Sequence, residues 1–61
     1  MTAIANLRKA AGMTQQELAD KLNVTQGAVA HWENGHSFPR LSVLRAMAKL
    51  FGCSVDDLLA G

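Results

Sequence analysis

The stretch TQQELADKLNVTQGAVAHWENG, residues 14–35, decides the fold. Thr14 followed three residues later by Glu17 is a capping box, in which side chains and backbone donors satisfy one another at a helix start. Leu18, Ala19 and Leu22 recur at helical spacing, so one face of the segment is apolar. Lys21, near the end, suits the negative pole of the helix dipole. Asn23 is the expected stop, because Asn tolerates the left-handed conformation better than any residue but Gly. Val24 follows as an expected buried plug. Thr25 is a second N-cap, with only Asn23 and Val24 between it and Leu22. Two helices joined this closely must turn sharply, which is the geometry of a helix-turn-helix, placed here over residues 14–34.

In the second helix of the pair, Val29 and Trp32 are three apart and face the core, while Gln26, Gly27, Ala28 and His31 lie on other faces, largely toward solvent. The small Ala19 lets this helix cross close to the first. A helix made only to stay folded gains from Lys, Glu or Ala at such outward positions, since Gly costs about 1 kcal/mol against Ala in a helix interior. A DNA-reading helix instead suits short or amide side chains at its N-terminal end. Gln can bond adenine in a bidentate way, and small residues let the backbone approach the bases. Taken alone, Gln26 and Gly27 do not separate this reading from one in which both are merely tolerated in a first turn.

The flanks supply support. Thr2 to Ala11 is expected to be a helix, with Ile4 and Leu7 apolar three apart and Thr2 as its cap. Gly12 ends it, and Met13 is the apolar residue preceding the Thr14 cap. Gly35 is the expected left-handed residue closing the helix after Glu33 and Asn34. His36 to Pro39 form a loop, in which Pro39 makes Phe38 extended and Phe38 is expected to anchor the loop by packing. Leu41 to Phe51 form a further helix, with Leu41, Leu44, Ala48 and Phe51 on one face, Met47 beside it, and Val43 and Leu50 more exposed. Gly52 stops it. Ser54 caps a last helix, with Asp57 as its capping partner, Asp56 and Asp57 suiting its dipole, and Leu58 and Leu59 docking it. The expected fold class is all-α: five short helices, no strand, no repeat.

Sixty-one residues make a single expected domain, 1–61, with a small core. Domains of this size bury only about 60% of their unfolded surface, so a partner chain or DNA adds useful stability. The 49% apolar content suits a globular helical domain. Net charge is +1 and the isoelectric point is near 8.0, weak support for nucleic acid, where a pI above about 9 is common. A local positive face is still permitted. Asp56 and Asp57 sit at the far end of the chain, and Arg8, Lys9, Lys21 and Arg40 lie within or beside the helix pair. The one cysteine, Cys53, permits no internal disulfide and reads as a small core hydrophobe. No signal peptide and no membrane-length apolar run appears, so a cytoplasmic location is expected.

The matching residues LRKAAGMTQQELADKLNVTQGAVAHWENGHSFP and LSVLRAMAKLFGCSVDDLL resemble the lambda-repressor/Cro-like (XRE-type) helix-turn-helix family across nearly the whole chain, from Ile4 to Leu59. TQQELA, the spaced V-T-Q, W-E-N-G and the closing G-x-S-x-D-x-L-L form a specific pattern only together. Two departures stand out. Asn23 occupies a turn position where the family usually has Gly, and Gly27 a position where many members carry a base-reading side chain.

The resemblance implies a compact five-helix lambda-repressor-like DNA-binding domain, bacterial or phage-encoded and nucleoid-associated, that regulates transcription by occupying an operator, most closely as a repressor of the Cro type. Gln26, Gly27 and His31 are the expected base-contacting residues. Gln15, Asn34, His36 and Arg40 are the expected phosphate contacts, and Gln15 also braces Gln26, as the matching family residue does. Arg8 is expected to pair with Glu33, joining the first and third helices. A homodimer, weak or formed on DNA, is expected through Val55, Asp57 and Leu58, reading half-sites of a palindromic double-stranded operator about one helical turn apart.

Two other classes compete with this reading. An enzyme needs nucleophile, base and orienting group in one pocket. Cys53, His31, His36, Glu17 and Asp20 are the candidates, on a chain too short to wrap a substrate-sized pocket. His31 and His36 are five apart across a helix end, and no second ligand pair has metal spacing, so no enzyme, metal or cofactor is expected. A protein-interaction module on the same fold is the alternative that the low net charge keeps open, and an antitoxin or restriction-controller regulator is the alternative within DNA binding.

Overall fold

The computed structural model describes residues 1–60; Gly61, the last residue of the expected domain, lies outside the described residues. Five helices follow one another: α1 (Thr2–Ala10), α2 (Gln15–Leu22), α3 (Gln26–Glu33), α4 (Leu41–Phe51) and α5 (Val55–Leu59). Every helix contributes to one core. Ile4, Leu18, Val29, Met47 and Leu58, one from each, are fully buried, with Ala19, Trp32, Leu44 and Ala48 around them. The fold is all-helical among the described residues, the five-helix arrangement that the resemblance implies. None of these helices is long and apolar enough to cross a membrane.

The starts of α2, α3 and α5 are set locally. Thr14 and Ser54 each close a full capping box, with Glu17 and Asp57 respectively, and Thr25 accepts from the Ala28 N–H. The backbone N–H of Thr14 and the Thr14 hydroxyl hold the Glu17 carboxyl below its ordinary range, and Ser54 does the same for Asp57. Helix ends are equally regular. Asn23, at φ 59° and ψ 43°, takes the left-handed conformation. That lets its N–H reach the Asp20 carbonyl and the Val24 N–H reach the Ala19 carbonyl, six-to-one, at 3.0 Å. Glycines at 12, 35 and 52 close α1, α3 and α4 in the same left-handed way. The residue after each turn, Met13, Val24 or Cys53, then tucks half-buried against the core. At the end of α3 that place belongs to an exposed histidine, His36.

α2 and α3 pack against one another more extensively than any other pair of helices. Ala19, expected where the two cross, is fully buried.

Several expectations fail for identifiable reasons. Thr2 is not a cap. It is the first helical residue, with Met1 in the capping position, no side-chain cap bond, and the Met1 amino group donating to the Trp32 carbonyl at 2.7 Å. Phe38 does not anchor the loop and is 74% exposed. Adjacent side chains of extended backbone point to opposite sides, and it is Pro39 that turns inward. Leu41 is also exposed. It opens α4, and Cβ atoms tilt toward a helix's N-terminus, so its side chain projects past the helix end. Fully buried Met47, not the margin of the apolar face, is its centre, and Val43 packs half-buried instead of facing solvent. α5 is barely more than one turn long and can bury one leucine only. Leu58 takes that place, and Leu59 remains exposed.

Asn23→Ala should destabilise the fold by about 1 kcal/mol, the cost of forcing an ordinary residue left-handed. Asn23→Gly should be neutral or slightly stabilising. Equal denaturation midpoints for the wild type and Asn23→Ala would refute the role given to this residue.

Candidate nucleic-acid interface

Gln15 and Gln26 each follow a threonine N-cap and occupy the first residue of α2 and of α3. The sharp turn brings these two helix starts side by side. The Gln26 side-chain Nε2 donates to Gln15 Oε1 at 2.6 Å. Gln26 and Gly27 are exposed there, and Ala28 is half-buried. A methyl group built at Gly27 would meet only the Thr25 hydroxyl oxygen, 4.0 Å away. Packing therefore does not require glycine at this place, and the exposed start of α3 leaves backbone close to whatever approaches it.

Behind this pair lies an ion pair. Arg8 Nε donates to Glu33 Oε2 at 2.6 Å and Arg8 Nη2 to Glu33 Oε1 at 3.0 Å, a bidentate arrangement with side chains only 10% and 7% exposed. Arg8 Nη1 donates to the Met13 carbonyl at 2.8 Å, which also ties the guanidinium to the α1–α2 turn. Gln15 Nε2 donates to Glu33 Oε1 at 3.0 Å. Burial by itself raises the Glu33 carboxyl. The hydrogen bonds from Arg8 and Gln15, aided by the charges of Arg8 and Lys9, outweigh it and hold the group below its usual range. No buried side-chain polar atom among the described residues lacks a partner.

The other expected contacts lie from the end of α3 to the start of α4. His31 is exposed on α3, and its ring meets that of His36 edge to face, centroids 5.8 Å apart. Asn34, at the end of α3, and Arg40, in the capping position of α4, are exposed. The geometry thus joins Gln15 with Gln26, His31 with His36, and Arg8 with Glu33; it does not join Asn34 or Arg40 to any of these. The link from Gln15 to Glu33 escaped the sequence reading. The two residues are 18 positions apart on different helices, and no local spacing marks them as neighbours.

The proposed dimer residues need a correction. Leu58 is fully buried in the core of its own chain and has no surface to offer a second copy. Asp57 is exposed but its carboxylate accepts from the Ser54 N–H at 3.0 Å, and Val55 is half-buried.

A family model described as helix-turn-helix matches residues 4–58. The chain is 34% identical over 58 residues to the HTH-type transcriptional activator BcrR of Enterococcus faecalis, covering 95% of this chain and 28% of that protein. It is 38% identical over 56 residues to a competence pilus inhibition repressor of Acinetobacter baylyi, covering 92% and 51%. It is 35% identical over 57 residues to an uncharacterized HTH-type transcriptional regulator of Archaeoglobus fulgidus, covering 93% and 81%. The chain therefore spans about a quarter to a half of the first two relatives. No solved structure matches it.

Breaking a buried pair leaves an uncompensated charge, so Glu33→Ala should cost about 3 kcal/mol, whereas Arg8→Met combined with Glu33→Leu, an apolar replacement of similar volume, should cost much less. A carboxyl whose folded pKa is depressed contributes stability that is present above its unfolded value, about 4.3 for Glu, and is lost as pH falls through the folded one. Acid denaturation below about pH 4 should therefore be steeper for the wild type than for the double variant. Additive, small effects in chemical denaturation, or identical acid profiles, would remove the pair from this role.

Proposed function

Because the chain belongs to the lambda-repressor/Cro-like (XRE-type) helix-turn-helix family of transcriptional regulators, we propose that it binds a specific double-stranded DNA operator through α3 and regulates transcription by occupying that site. The observation that carries this reading is the braced amide pair Gln15–Gln26 at two adjoining helix starts, on an exposed face. In this reading α3 lies in the major groove with its N-terminus inward. The Gln26 amide meets an adenine edge, Oε1 accepting from N6 and a free N–H donating to N7. Gly27 brings backbone against a neighbouring thymine methyl. His31, just over one turn further along α3, contacts a base edge or phosphate.

Phosphates are held by Gln15, by backbone N–H groups at the start of α2, and by Asn34, His36 and Arg40. Such contacts position the protein without reading sequence. Arg40 is the one Lys or Arg among these contacts, so few counterions are displaced and a shallow dependence of affinity on salt accompanies this mode of binding. Operator occupancy of the Cro type, at DNA in the cytoplasm of a bacterial host, completes the proposal. A homodimer on a palindromic site also belongs to it, with half-buried Val55 and exposed Leu59 as the apolar groups that α5 leaves accessible.

Selection of binding sites from random duplex DNA tests this directly: a symmetric enriched site is expected, and no enrichment would overturn it. On the selected site, Gln26→Ala should abolish preference at one base pair per half-site, a loss of about 1–3 kcal/mol. Arg40→Ala should weaken all sequences alike and reduce the salt slope by about one. Gly27→Ala separates function from fold. It should stabilise the free protein by up to about 1 kcal/mol, yet lower operator affinity. Unchanged affinity would mean that the backbone at residue 27 does not approach DNA.

A further inference from the structure

A carboxylate can only accept hydrogen bonds. Glu33 Oε1 therefore dictates which end of the Gln15 amide faces it: Nε2 must turn inward, as it does at 3.0 Å. With its nitrogen engaged, Gln15 presents Oε1 to its other neighbour. That oxygen can only accept, so Gln26 must in turn donate through Nε2, at 2.6 Å. Arg8 keeps the carboxylate ionised and fixed, with two bonds of its own to both oxygens. The polarity of each group is thus set by the one behind it, from a pair that is nine-tenths buried to an exposed helix start.

We propose that Glu33 is a specificity-determining positioning residue: through Gln15 it fixes which end of the Gln26 amide is free, and so favours adenine over guanine at the base pair that Gln26 reads. The proposal rests on the DNA-reading role given to Gln26 above. Gln26 carries two N–H groups and one carbonyl oxygen. One N–H is held by Gln15, leaving one donor and one acceptor. Adenine offers N7 as acceptor and N6–H as donor, which that pair matches. Guanine offers two acceptors, N7 and O6. With one N–H engaged, the Gln26 carbonyl would face O6, acceptor against acceptor. An amide released from Gln15 can turn both N–H groups outward, and the penalty against guanine disappears. Glu33 acts at a distance, since Gln26 bonds Gln15 and not the carboxylate itself.

The test uses the duplex selected by the wild type, at the base pair whose preference is lost in Gln26→Ala, with A·T replaced by G·C. The Arg8→Met/Glu33→Leu variant removes the carboxylate and replaces the ion pair with apolar side chains. Its adenine-over-guanine preference should fall at least about fivefold, the lower end of what a bidentate contact supplies, while affinity for an unrelated duplex changes little. A folded double variant with the wild-type preference would overturn the proposal. If that variant does not fold, Gln15→Met decides: it breaks the chain outside the buried pair, lowers affinity overall, and should lose the same preference, whereas retained preference overturns the proposal.

The side-chain amide resonances of Gln26 in the free protein give a second readout, independent of DNA. They should shift when the distant carboxylate is removed, and unmoved resonances would overturn the chain of bonds. A wild type without base preference would sink the DNA reading and the specificity role together, and the amide signals would then report on the hydrogen-bond chain alone.

Discussion

Arg8 and Glu33 hold opposite charges with a tenth or less of either side chain in water. Such a pair persists only where its remaining hydrogen-bonding capacity is met, because desolvation otherwise exceeds the attraction between the charges. Here that capacity is filled by groups from three helices and a turn. Arg8 comes from α1, Glu33 from α3, Gln15 from α2, and the Met13 carbonyl from the α1–α2 connection. A core of nine buried apolar side chains, from Ala19 to Trp32 in size, holds the helices together without direction, since apolar burial has no preferred angle. The directional bonds around the ion pair add what the core lacks. They fix α1 and α2 against the end of α3, and hence the attitude of the exposed start of α3.

How much of this could be read from the chain depends on distance along it. Helix ends were legible because their chemistry is local: Thr14 with Glu17, Ser54 with Asp57, and Asn23 and the glycines at positions where a left-handed residue lets the next N–H reach back five residues. Gln26 and Gly27 drew meaning from their place at the outward start of the second helix and from the resemblance, since taken alone they suit a first turn as well. Exposure was harder to read. Phe38, Leu41 and Leu59 are apolar side chains expected to pack inward, yet each is turned outward by a neighbour or by a helix end. Leu58, expected at a surface between copies, is inside the chain's own core because a helix of little more than one turn has one inward position. The hydrogen bond between Gln15 and Glu33 was invisible for a different reason: it depends on the crossing of helices, which no spacing in the sequence encodes.

The end of α3 departs from the other left-handed terminations in a way that bears on its surroundings. At three helix ends the residue beyond the turn is apolar and half-buried, and seals the helix against the core. At α3 the corresponding contact is between two imidazoles, His31 and His36, both in solvent. The termination itself remains intact, with the His36 N–H bonding the His31 carbonyl at 2.9 Å. The helix is therefore closed by its backbone alone, and its last turn presents polar rings where the others present a hydrophobic cover.

The open space at Gly27 has a consequence for how such a protein could change its target. A Cβ there would meet nothing nearer than the Thr25 hydroxyl oxygen at 4.0 Å, and the position is exposed, so a side chain can begin there without displacing the core. Its neighbour Gln26 is in the opposite situation, held in orientation by bonds that lead back to the interior. Adjacent positions on one helix thus differ in evolutionary freedom: one can drift through new chemistries at little structural risk, while the other is inherited with the scaffold. Retargeting by mutation or by design would start at residue 27, and variation in Gln26 would be expected to travel together with changes at residues 8, 15 and 33.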